Sequence, residues 1–300
     1  MKKEISIIGV PMDLGQTRRG VDMGPSAIRY AGIIERLERL QYTVHDLGNI
    51  DIPRPDRNAP EREDKLRNLP EVVDTNKRLA EVVDEQVEKN FFPLVLGGDH
   101  SIAIGSIAGV SKHYENLGVI WYDAHGDINT VETSPSGNIH GMPLAVNLGL
   151  GHQKLTEILY NQPKIKAENV VLIGVRDLDE GEKDLLRKLN IKVYTMHEID
   201  RIGMPQVIKE TIEYLKERTD GVHLSFDLDG INPSEAPGVG TPVIGGVTYR
   251  ESHLALEMLA ESNIITSAEF VEVNPMLDDK NKTAILTVAL VGSLFGEKLF

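Results

Sequence analysis

The chain alternates between short apolar runs and longer segments in which apolar residues recur every three or four positions. A short run rich in valine, isoleucine and leucine is typical of a buried strand, whereas the longer spacing indicates a helix with one apolar face. The pattern predicts about eight strands, at residues 5–10, 43–47, 94–96, 119–122, 170–173, 192–194, 222–226 and 267–271. The predicted helices lie at residues 25–40, 70–89, 101–114, 180–189, 203–218, 248–261 and 283–295.

This alternation of strand and helix favours α/β architecture, with a parallel sheet covered by helices on both faces. Eight such units would also fit a closed barrel, and the pattern alone does not distinguish a barrel from an open sheet. Both architectures place functional residues at the carboxyl ends of the strands. Residues 48–70 are rich in proline and charge and are predicted to form a surface loop, so we expect residues 1–300 to form a single domain.

Composition narrows the functional classes. The 300 residues are 41% hydrophobic, which suffices for a large core, and their formal net charge of −14 disfavours binding to nucleic acid. There is no cysteine, which excludes disulfides, thiolate metal sites and cysteine nucleophiles. The chain lacks a long apolar run and enters a strand pattern at once. We therefore expect neither a membrane span nor a signal peptide, and a cytoplasmic location.

Three of the predicted strands are followed by acids and histidines, the residue types that bind metal ions. These segments lie at residues 97–100, 123–127 and 227–229. In the second segment the two acids and the histidine alternate, so a locally extended chain would project all three side chains from one side. Because every segment comes at a strand end, we expect them to meet at one edge of the sheet. The candidate metal ligands are His100, Asp123, His125, Asp127, Asp227 and Asp229.

Charge indicates how many ions this set would hold. Its four aspartates would carry −4 when ionised, and without cations they would repel one another and take up protons. Two divalent cations balance that charge, and six ligands suit two ions with bridging carboxylates better than one tetrahedral ion. Oxygen and nitrogen ligands without sulfur favour manganese, cobalt or iron. Each segment alone is more typical of a turn, a loop histidine or a helix cap, so the prediction depends on their occurring together.

Three segments resemble the signature sequences of the ureohydrolase family, in the same order and with the same spacing. They are Gly97-Gly98-Asp99-His100-Ser101, Asp123-Ala124-His125-Gly126-Asp127 and Ser225-Phe226-Asp227-Leu228-Asp229. The resemblance extends from about residue 5 to the C-terminus. Within this family the chain is most similar to bacterial, Bacillus-type arginases. The narrower match is carried by Gly9-Val10-Pro11-Met12-Asp13-Leu14-Gly15, Ser136-Gly137-Asn138-Ile139-His140-Gly141 and Glu272-Val273-Asn274-Pro275.

The resemblance implies a three-layer α/β/α sandwich with a mostly parallel eight-stranded sheet, and so it favours the open sheet over the barrel. It also implies two manganese ions (Mn²⁺) per subunit, held by the candidate ligands named above. By position in the family pattern, His100 and Asp127 would hold one ion, His125 and Asp229 the other, and Asp123 and Asp227 both.

The implied reaction is the hydrolysis of L-arginine to L-ornithine and urea by a hydroxide that the two metal ions share. Asp127 would orient that hydroxide as it attacks the guanidinium carbon. His140, which would otherwise be an ordinary loop histidine, would pass a proton to the leaving amino group. Glu272 follows the last predicted strand, and its carboxylate would accept paired hydrogen bonds from the guanidinium.

The remaining expected site residues lie in loops that would recognise the α-carboxylate and α-amine of arginine. Asp179 and Glu182 also suit the first turn of a helix, where acids are favourable, and the two roles are compatible. Two positions depart from related sequences: Asn232 replaces a common aspartate, and Ser134 replaces the threonine of many animal arginases. We expect Asn232 to affect only the local loop. The expected substrate contacts are Asn129, Ser134, Ser136, Asn138, Asp179, Glu182, Thr241 and Glu272.

Three alternatives remain open at this point. Another ureohydrolase, acting on agmatine, guanidinobutyrate or formiminoglutamate, would share the metal segments but not the loops that recognise an α-amino acid. A catalytically silent binding protein is disfavoured because all six ligands, His140 and Glu272 are present. A two-metal phosphatase is disfavoured by the net charge of −14 and the lack of a phosphate-binding glycine loop. Ureohydrolases are commonly trimers or hexamers, and Arg250 and Glu251 match a region of subunit contact.

Overall fold

The computed structural model describes residues 3–54 and 62–300, so the predicted surface loop at 48–70 lies partly outside the described residues. The strands are β1 (Glu4–Val10), β2 (Thr43–Asn49), β3 (Arg62–Glu63), β4 (Leu66–Arg67), β5 (Phe92–Gly97), β6 (Leu117–Tyr122), β7 (Val170–Val175), β8 (Lys192–Thr195), β9 (Gly221–Asp227) and β10 (Ile265–Val271). The helices are α1 (Gly24–Tyr30), α2 (Ile33–Arg39), α3 (Leu69–Glu88), α4 (Ala103–Ser111), α5 (Pro143–Asn147), α6 (Gln153–Thr156), α7 (Glu180–Lys188), α8 (Met196–Ile202), α9 (Met204–Lys216), α10 (Tyr249–Ser262) and α11 (Lys282–Leu294).

Eight of these strands form one sheet in the order β2-β1-β5-β10-β9-β6-β7-β8. Each pairing within this sheet is parallel. The expected open α/β/α sheet is therefore confirmed, and the barrel that the sequence pattern left open is excluded. The strands β3 and β4 pair separately as a short antiparallel hairpin. Although β10 comes last along the chain among the described strands, it lies between β5 and β9 in the middle of the sheet.

Two buried apolar layers lie on opposite faces of this sheet. Successive residues of a strand contribute to different layers, because side chains alternate across a strand. Ile7 and Phe226 belong to the layer covered by α1, α2 and α8 to α11. Ile8 and Trp121 belong to the layer covered by α3 to α7. Since both faces of the central strands are buried, these strands are continuous apolar runs in the sequence.

Strand register brings the ends of the four central strands to one level. Leu96 of β5 pairs with Phe270 of β10, Phe270 pairs with Phe226 of β9, and Phe226 pairs with Tyr122 of β6. The residues that follow these four paired positions therefore lie side by side at the carboxyl edge of the sheet. Within residues 3–54 and 62–300, no helix combines the length and the apolar character that crossing a bilayer requires.

Helix boundaries differ from the sequence predictions at three places. Gly32, with a φ angle of 89°, divides the predicted helix at 25–40 into α1 and α2, because its left-handed backbone does not continue a helix. The predicted helix at 203–218 corresponds to α9 alone, and the unpredicted α8 precedes it. Thr195 and Glu198 begin α8 with a capping box, a signal that was present in the sequence. The short helices α5 and α6 are also additional to the predicted set.

Gly98 allows a close approach between the end of β5 and the loop that follows β1. A Cβ atom on Gly98 would lie 1.8 Å from the carbonyl oxygen of Met12. Gly98→Ala is therefore expected to lower the free energy of unfolding by about 3 kcal/mol, as for other overpacked positions, in urea denaturation. Gly141→Ala is the control, because a Cβ there would meet nothing within 4 Å. Equal stability of the two variants would contradict this close approach.

Candidate metal centre

The three predicted segments meet at the carboxyl ends of β5, β6 and β9. His100 begins a short 3₁₀ turn after β5, Asp123 follows β6, and Asp227 ends β9. The ligand atoms of these three residues lie within 4.8 Å of one another, and so do those of Asp123, His125 and Asp229. Because Asp123 belongs to both sets, the described residues provide two adjoining groups that could each hold a metal ion.

The Nδ1 atom of His100 points between carboxylates. It lies 3.1 Å from Asp123 Oδ2, 3.0 Å from Asp127 Oδ2 and 3.1 Å from Asp227 Oδ2. Within the described part of the chain, this buried nitrogen makes no well-directed hydrogen bond to any of them. A nitrogen directed between three carboxylate oxygens is the arrangement that a shared divalent cation requires, so these residues fit a metal ion.

His125 has the equivalent place in the second group. Its Nδ1 atom lies 3.1 Å from Asp229 Oδ2 and 3.4 Å from Asp123 Oδ1. Backbone and indole donors hold the acids: Asp123 accepts hydrogen bonds from the His125 amide (2.7 Å) and from Trp121 Nε1 (3.0 Å). Asp227 Oδ1 likewise accepts a hydrogen bond from the Asp229 amide at 2.7 Å. These contacts fix the directions in which the carboxylates face.

Burial and mutual repulsion shift the pKa values of these acids. Burial raises the pKa of Asp227 well above its usual range, and the charges of Asp229 and Asp123 add to that effect. Burial and the Asp123 charge raise the pKa of Asp127 to about 6, and burial also raises the pKa of Asp229. Burial would raise the pKa of Asp123 too, but the neighbouring imidazoles of His100 and His125 outweigh it and lower that pKa. Ionising Asp127, Asp227 and Asp229 without a nearby cation is therefore unfavourable.

Two acids of the site have strained backbone conformations. Asp127 has a φ angle of 47° and Glu272 has a φ angle of 65°, which places both in the left-handed region. Such a conformation costs about 1–3 kcal/mol for a residue other than glycine, and it is found mainly where the surrounding structure fixes it. At Glu272, the backbone amide is held by a hydrogen bond of 2.9 Å to the carbonyl oxygen of Gly98.

Hydrogen bonds hold both carboxylate oxygens of Glu272 next to the two candidate metal-binding groups. Its Oε1 atom accepts a hydrogen bond from the His100 amide (2.9 Å) and lies 3.3 Å from His140 Nδ1. Its Oε2 atom accepts a hydrogen bond from Gln16 Nε2 at 3.1 Å. Burial would lower the pKa of His140, but the hydrogen bond and charge of Glu272 outweigh it and raise that pKa to about 9. A protonated imidazole is therefore favoured beside Glu272 at neutral pH.

A cleft with a volume of about 140 Å³ opens beside these groups. It contains most of the predicted substrate contacts, whereas Glu272 lies deeper, below His140. The predicted residues that line the cleft are His125, Asp127, Asn129, Ser134, Ser136, Asn138, His140, Asp179, Glu182, Asp227, Asp229 and Thr241.

Hydrogen bonds connect the cleft loops to one another. Asn129 Nδ2 donates to Asp179 Oδ2 at 2.9 Å, and Thr241 Oγ1 donates to Asp229 Oδ2 at 3.1 Å. Glu182 accepts hydrogen bonds from the amides of Asp179 and Ile128, and it completes the capping box of α7. Burial, aided by the charge of Asp127, raises the pKa of Glu182 to about 7. Both suggested roles of these acids, in the helix cap and in the cleft, are therefore compatible with their positions.

Two residues at the site were absent from the sequence prediction. Gln16 lies in the loop after β1 and contacts Glu272, as described above. Arg176 follows β7, and its guanidinium donates hydrogen bonds to the carbonyl oxygens of Asp229 (2.6 Å) and Gly230 (3.2 Å). Arg176 comes three residues after the predicted strand at 170–173, and a charged residue near a strand end was the available signal for it. Gln16 lies six residues beyond β1, and only folding brings it to the site.

The unusual Asn232 supports a turn, as its residue type suggested. Its Oδ1 atom accepts a hydrogen bond from the Ser234 amide at 3.2 Å, and its own amide donates to the Val247 carbonyl at 2.9 Å. Glu251 forms a capping box with Thr248 at the start of α10, which gives it a role within one subunit.

Comparison with known proteins agrees with this geometry. Residues 3–296 match the family model described as the arginase family. An arginase from Bacillus caldovelox is 72% identical over 297 residues, which are 99% of each sequence. An arginase from Bacillus subtilis (strain 168) is 64% identical over 299 residues, with both sequences fully covered. The native structure of the B. caldovelox arginase superposes with a TM-score of 0.97 at 71% identity, covering 99% of this chain and 100% of that one.

Asp127→Asn tests the repulsion among the buried acids. Because the pKa of Asp127 is raised to about 6, its ionisation destabilises the metal-free fold as pH rises from about 4 through 6. Asparagine tolerates the left-handed backbone and removes the charge. We expect the metal-free variant to be more stable than wild type by about 2 kcal/mol at pH 7 and equally stable at pH 4, in denaturant titrations. Asp184→Asn, at an exposed position, is the control and should change neither value.

The same substitution should weaken Mn²⁺ binding, because it removes one of the acids around His100 Nδ1. A metal-free Asp127→Asn protein no more stable than wild type at pH 7 would contradict the repulsion described here.

Proposed function

The chain belongs to the arginase family, and we propose that it hydrolyses L-arginine to L-ornithine and urea in a single catalytic domain, residues 1–300. The observation that carries this proposal is the position of the two His/Asp groups beside the cleft. The residues expected to recognise an α-amino acid line that same cleft. Similarity to arginases over the whole chain supports L-arginine, rather than another guanidino compound, as the substrate.

The proposed cofactor is two Mn²⁺ ions per subunit. The oxygen and nitrogen donors support manganese, and the orientation of His100 Nδ1 supports a bound cation. When bound, the ions would supply hydroxide from water at neutral pH and balance the charge of four carboxylates. In this proposal His100 and Asp127 would hold one ion, His125 and Asp229 would hold the other, and Asp123 and Asp227 would contact both.

Glu272 binds and orients the guanidinium in this proposal. The His100 amide and Gln16 Nε2 hold its two oxygens and so fix the plane of the carboxylate. Its remaining lone pairs can accept paired N–H donors from the substrate. Asp127 accepts a hydrogen bond from the attacking oxygen and directs it at the guanidinium carbon. The bond between that carbon and the side-chain nitrogen of the substrate then breaks.

His140 supplies the proton that the leaving amine requires. Its position 3.3 Å from Glu272 and its raised pKa keep the imidazole protonated at neutral pH. Transfer of this proton to the departing nitrogen yields the side-chain amino group of ornithine. The oxygen added to the guanidinium carbon leaves in urea, so one water is consumed for each arginine.

The remaining cleft residues are proposed to bind the α-carboxylate and the α-amine of the substrate. Asn129, Ser134 and Ser136 would bind the α-carboxylate, and Asp179 and Glu182 would bind the α-amine, directly or through water. Their positions in one cleft support this assignment, and the hydrogen bond from Asn129 to Asp179 connects the two sets. Asn138 and Thr241 line the same space and complete the proposed contacts.

The proposal extends to the setting in which the enzyme acts. We place it in the cytoplasm as a homo-oligomer, a trimer or a hexamer, with no nucleic acid or membrane partner. The net charge of −14 supports the lack of a nucleic acid partner, and the absence of cysteine supports a cytoplasmic location.

Urea release from L-arginine and agmatine tests the substrate directly. Agmatine lacks the α-carboxylate, so the groups that would bind it remain unpaired. With Mn²⁺-loaded protein we expect kcat/KM for L-arginine to exceed that for agmatine by at least about 10³-fold. Release mainly from agmatine would keep the metal chemistry and contradict the carboxylate-binding roles of Asn129, Ser134 and Ser136.

His140→Asn tests the proton donor. We expect kcat to fall by about 10²-fold or more at neutral pH, because asparagine cannot deliver a proton. Since the pKa of His140 is raised to about 9, wild-type turnover should decrease as pH rises through about 9, and the variant should lack that decrease. His113→Asn is the control, because His113 lies in the turn after α4, where its ring contacts Asp84. Unchanged turnover of His140→Asn at neutral pH would remove the proposed role.

A further inference from the structure

The neighbouring strands β9 and β10 carry buried polar side chains among their apolar residues. Ser225 of β9 pairs in register with Glu269 of β10, and His223 of β9 pairs with Ser267 of β10. Positions two residues apart on a strand lie on the same face, so these four side chains form one buried polar ladder. Each of them is at most 1% exposed. Central parallel strands normally carry apolar residues at such positions, so this ladder calls for an explanation.

One end of the polar ladder contacts the candidate metal ligand His100. His100 Nε2 lies 2.7 Å from Ser225 Oγ, and Ser225 Oγ donates to Glu269 Oε1 at 2.7 Å. Ser106 Oγ donates to the other oxygen of Glu269. At the far end, His223 Nδ1 lies 2.9 Å from Ser267 Oγ. His223 Nε2 lies 3.5 Å from Glu269 Oε1 but makes no well-directed hydrogen bond within the described residues. Well-directed hydrogen bonds therefore connect only the first half of the polar ladder to His100.

The chemistry of each group sets the direction of these hydrogen bonds. Both oxygens of Glu269 accept hydrogen bonds from hydroxyl groups, Oε1 from Ser225 and Oε2 from Ser106, as an ionised carboxylate does. The ionised carboxylate can only accept, so it takes the single hydroxyl proton of Ser225. Ser225 then offers only a lone pair to His100, and His100 Nε2 must be the donor. The other ring nitrogen, Nδ1, is left with its lone pair directed at the carboxylates.

A stacked ring fixes the remaining freedom of this imidazole. The His100 ring lies against Trp121 with centroids 4.2 Å apart and an angle of 9° between the planes. Stacking defines the plane of the ring, and the hydrogen bond to Ser225 defines its rotation within that plane. Both constraints therefore aim Nδ1 at the position between Asp123, Asp127 and Asp227.

We propose that Glu269 is a positioning residue for metal binding, acting on His100 through Ser225. This inference rests on the proposed function, because it takes His100 to be a metal ligand. Glu269 touches neither the cleft nor the cluster. It contributes a fixed acceptor that orients the Ser225 hydroxyl, and that hydroxyl in turn selects the His100 tautomer able to bind a cation. Groups behind a histidine ligand affect metal affinity in this way, by about 10–100-fold.

Mn²⁺ affinity, measured by equilibrium dialysis of purified protein, is the primary test. Ser225→Ala and Glu269→Met should each weaken binding of one ion by about 10–100-fold. The matched control is Ser267→Ala, which removes a hydroxyl of equal burial from the same polar ladder but not from the path to His100. That control should bind Mn²⁺ as wild type does, even where its melting temperature falls.

A double variant separates positioning from general destabilisation. If Glu269 acts only through Ser225, then Ser225→Ala/Glu269→Met should bind Mn²⁺ no more weakly than Ser225→Ala alone. This comparison also carries the test where Glu269→Met alone fails to fold. A further loss of affinity in the double variant would overturn the proposal, as would wild-type affinity in Ser225→Ala or an equal loss in Ser267→Ala.

Wild-type binding distinguishes this inference from the proposed function. Wild-type protein that takes up two Mn²⁺ ions and hydrolyses L-arginine, together with variants of unchanged affinity, would reject the role of Glu269 alone. Wild-type protein that binds no Mn²⁺ would reject the proposed function itself, and with it the premise of this inference.

Discussion

Repulsion among four buried aspartate carboxylates is the constraint on which this site depends. The carboxylates cannot move apart, because their segments follow central strands that neighbours hold in register on both sides. Burial and proximity raise the pKa values of Asp127, Asp227 and Asp229, so ionising these acids without cations is unfavourable. The rigid sheet thus holds acids at positions where a bound cation would relieve their repulsion.

The same rigidity orients the groups that would act on the substrate. Glu272 has a left-handed backbone, and its carboxylate is fixed by the His100 amide and by Gln16. That carboxylate contacts His140 in turn, so one acid connects a metal ligand with the proposed proton donor. Substrate orientation, proton transfer and metal binding are consequently coupled through direct contacts rather than through separate loops.

Sequence reasoning found the strands and the metal segments because both are local signals. Continuous apolar runs identify strands buried on both faces, and parallel topology then brings their ends together. Strand order has no such local signal, so the periodicity alone did not exclude a closed barrel. Ser225 and Glu269 were missed as a pair because their significance depends on β9 and β10 being neighbours. The helix α8 was missed for a different reason, because Thr195 and Glu198 carried a local capping signal that the prediction did not use.

The central place of β10 has a consequence for how the chain is made. Strand β5 pairs with β1 on one side and with β10 on the other, and β9 pairs with β6 and β10. During synthesis, β5 and β9 are both complete before β10 leaves the ribosome, so each presents an unpaired edge. His100 lies on one side of that gap, and Asp123 and Asp227 lie on the other. A growing chain can therefore assemble the group of Asp123, His125 and Asp229 from β6 and β9 alone, whereas joining His100 to these acids has to follow insertion of β10.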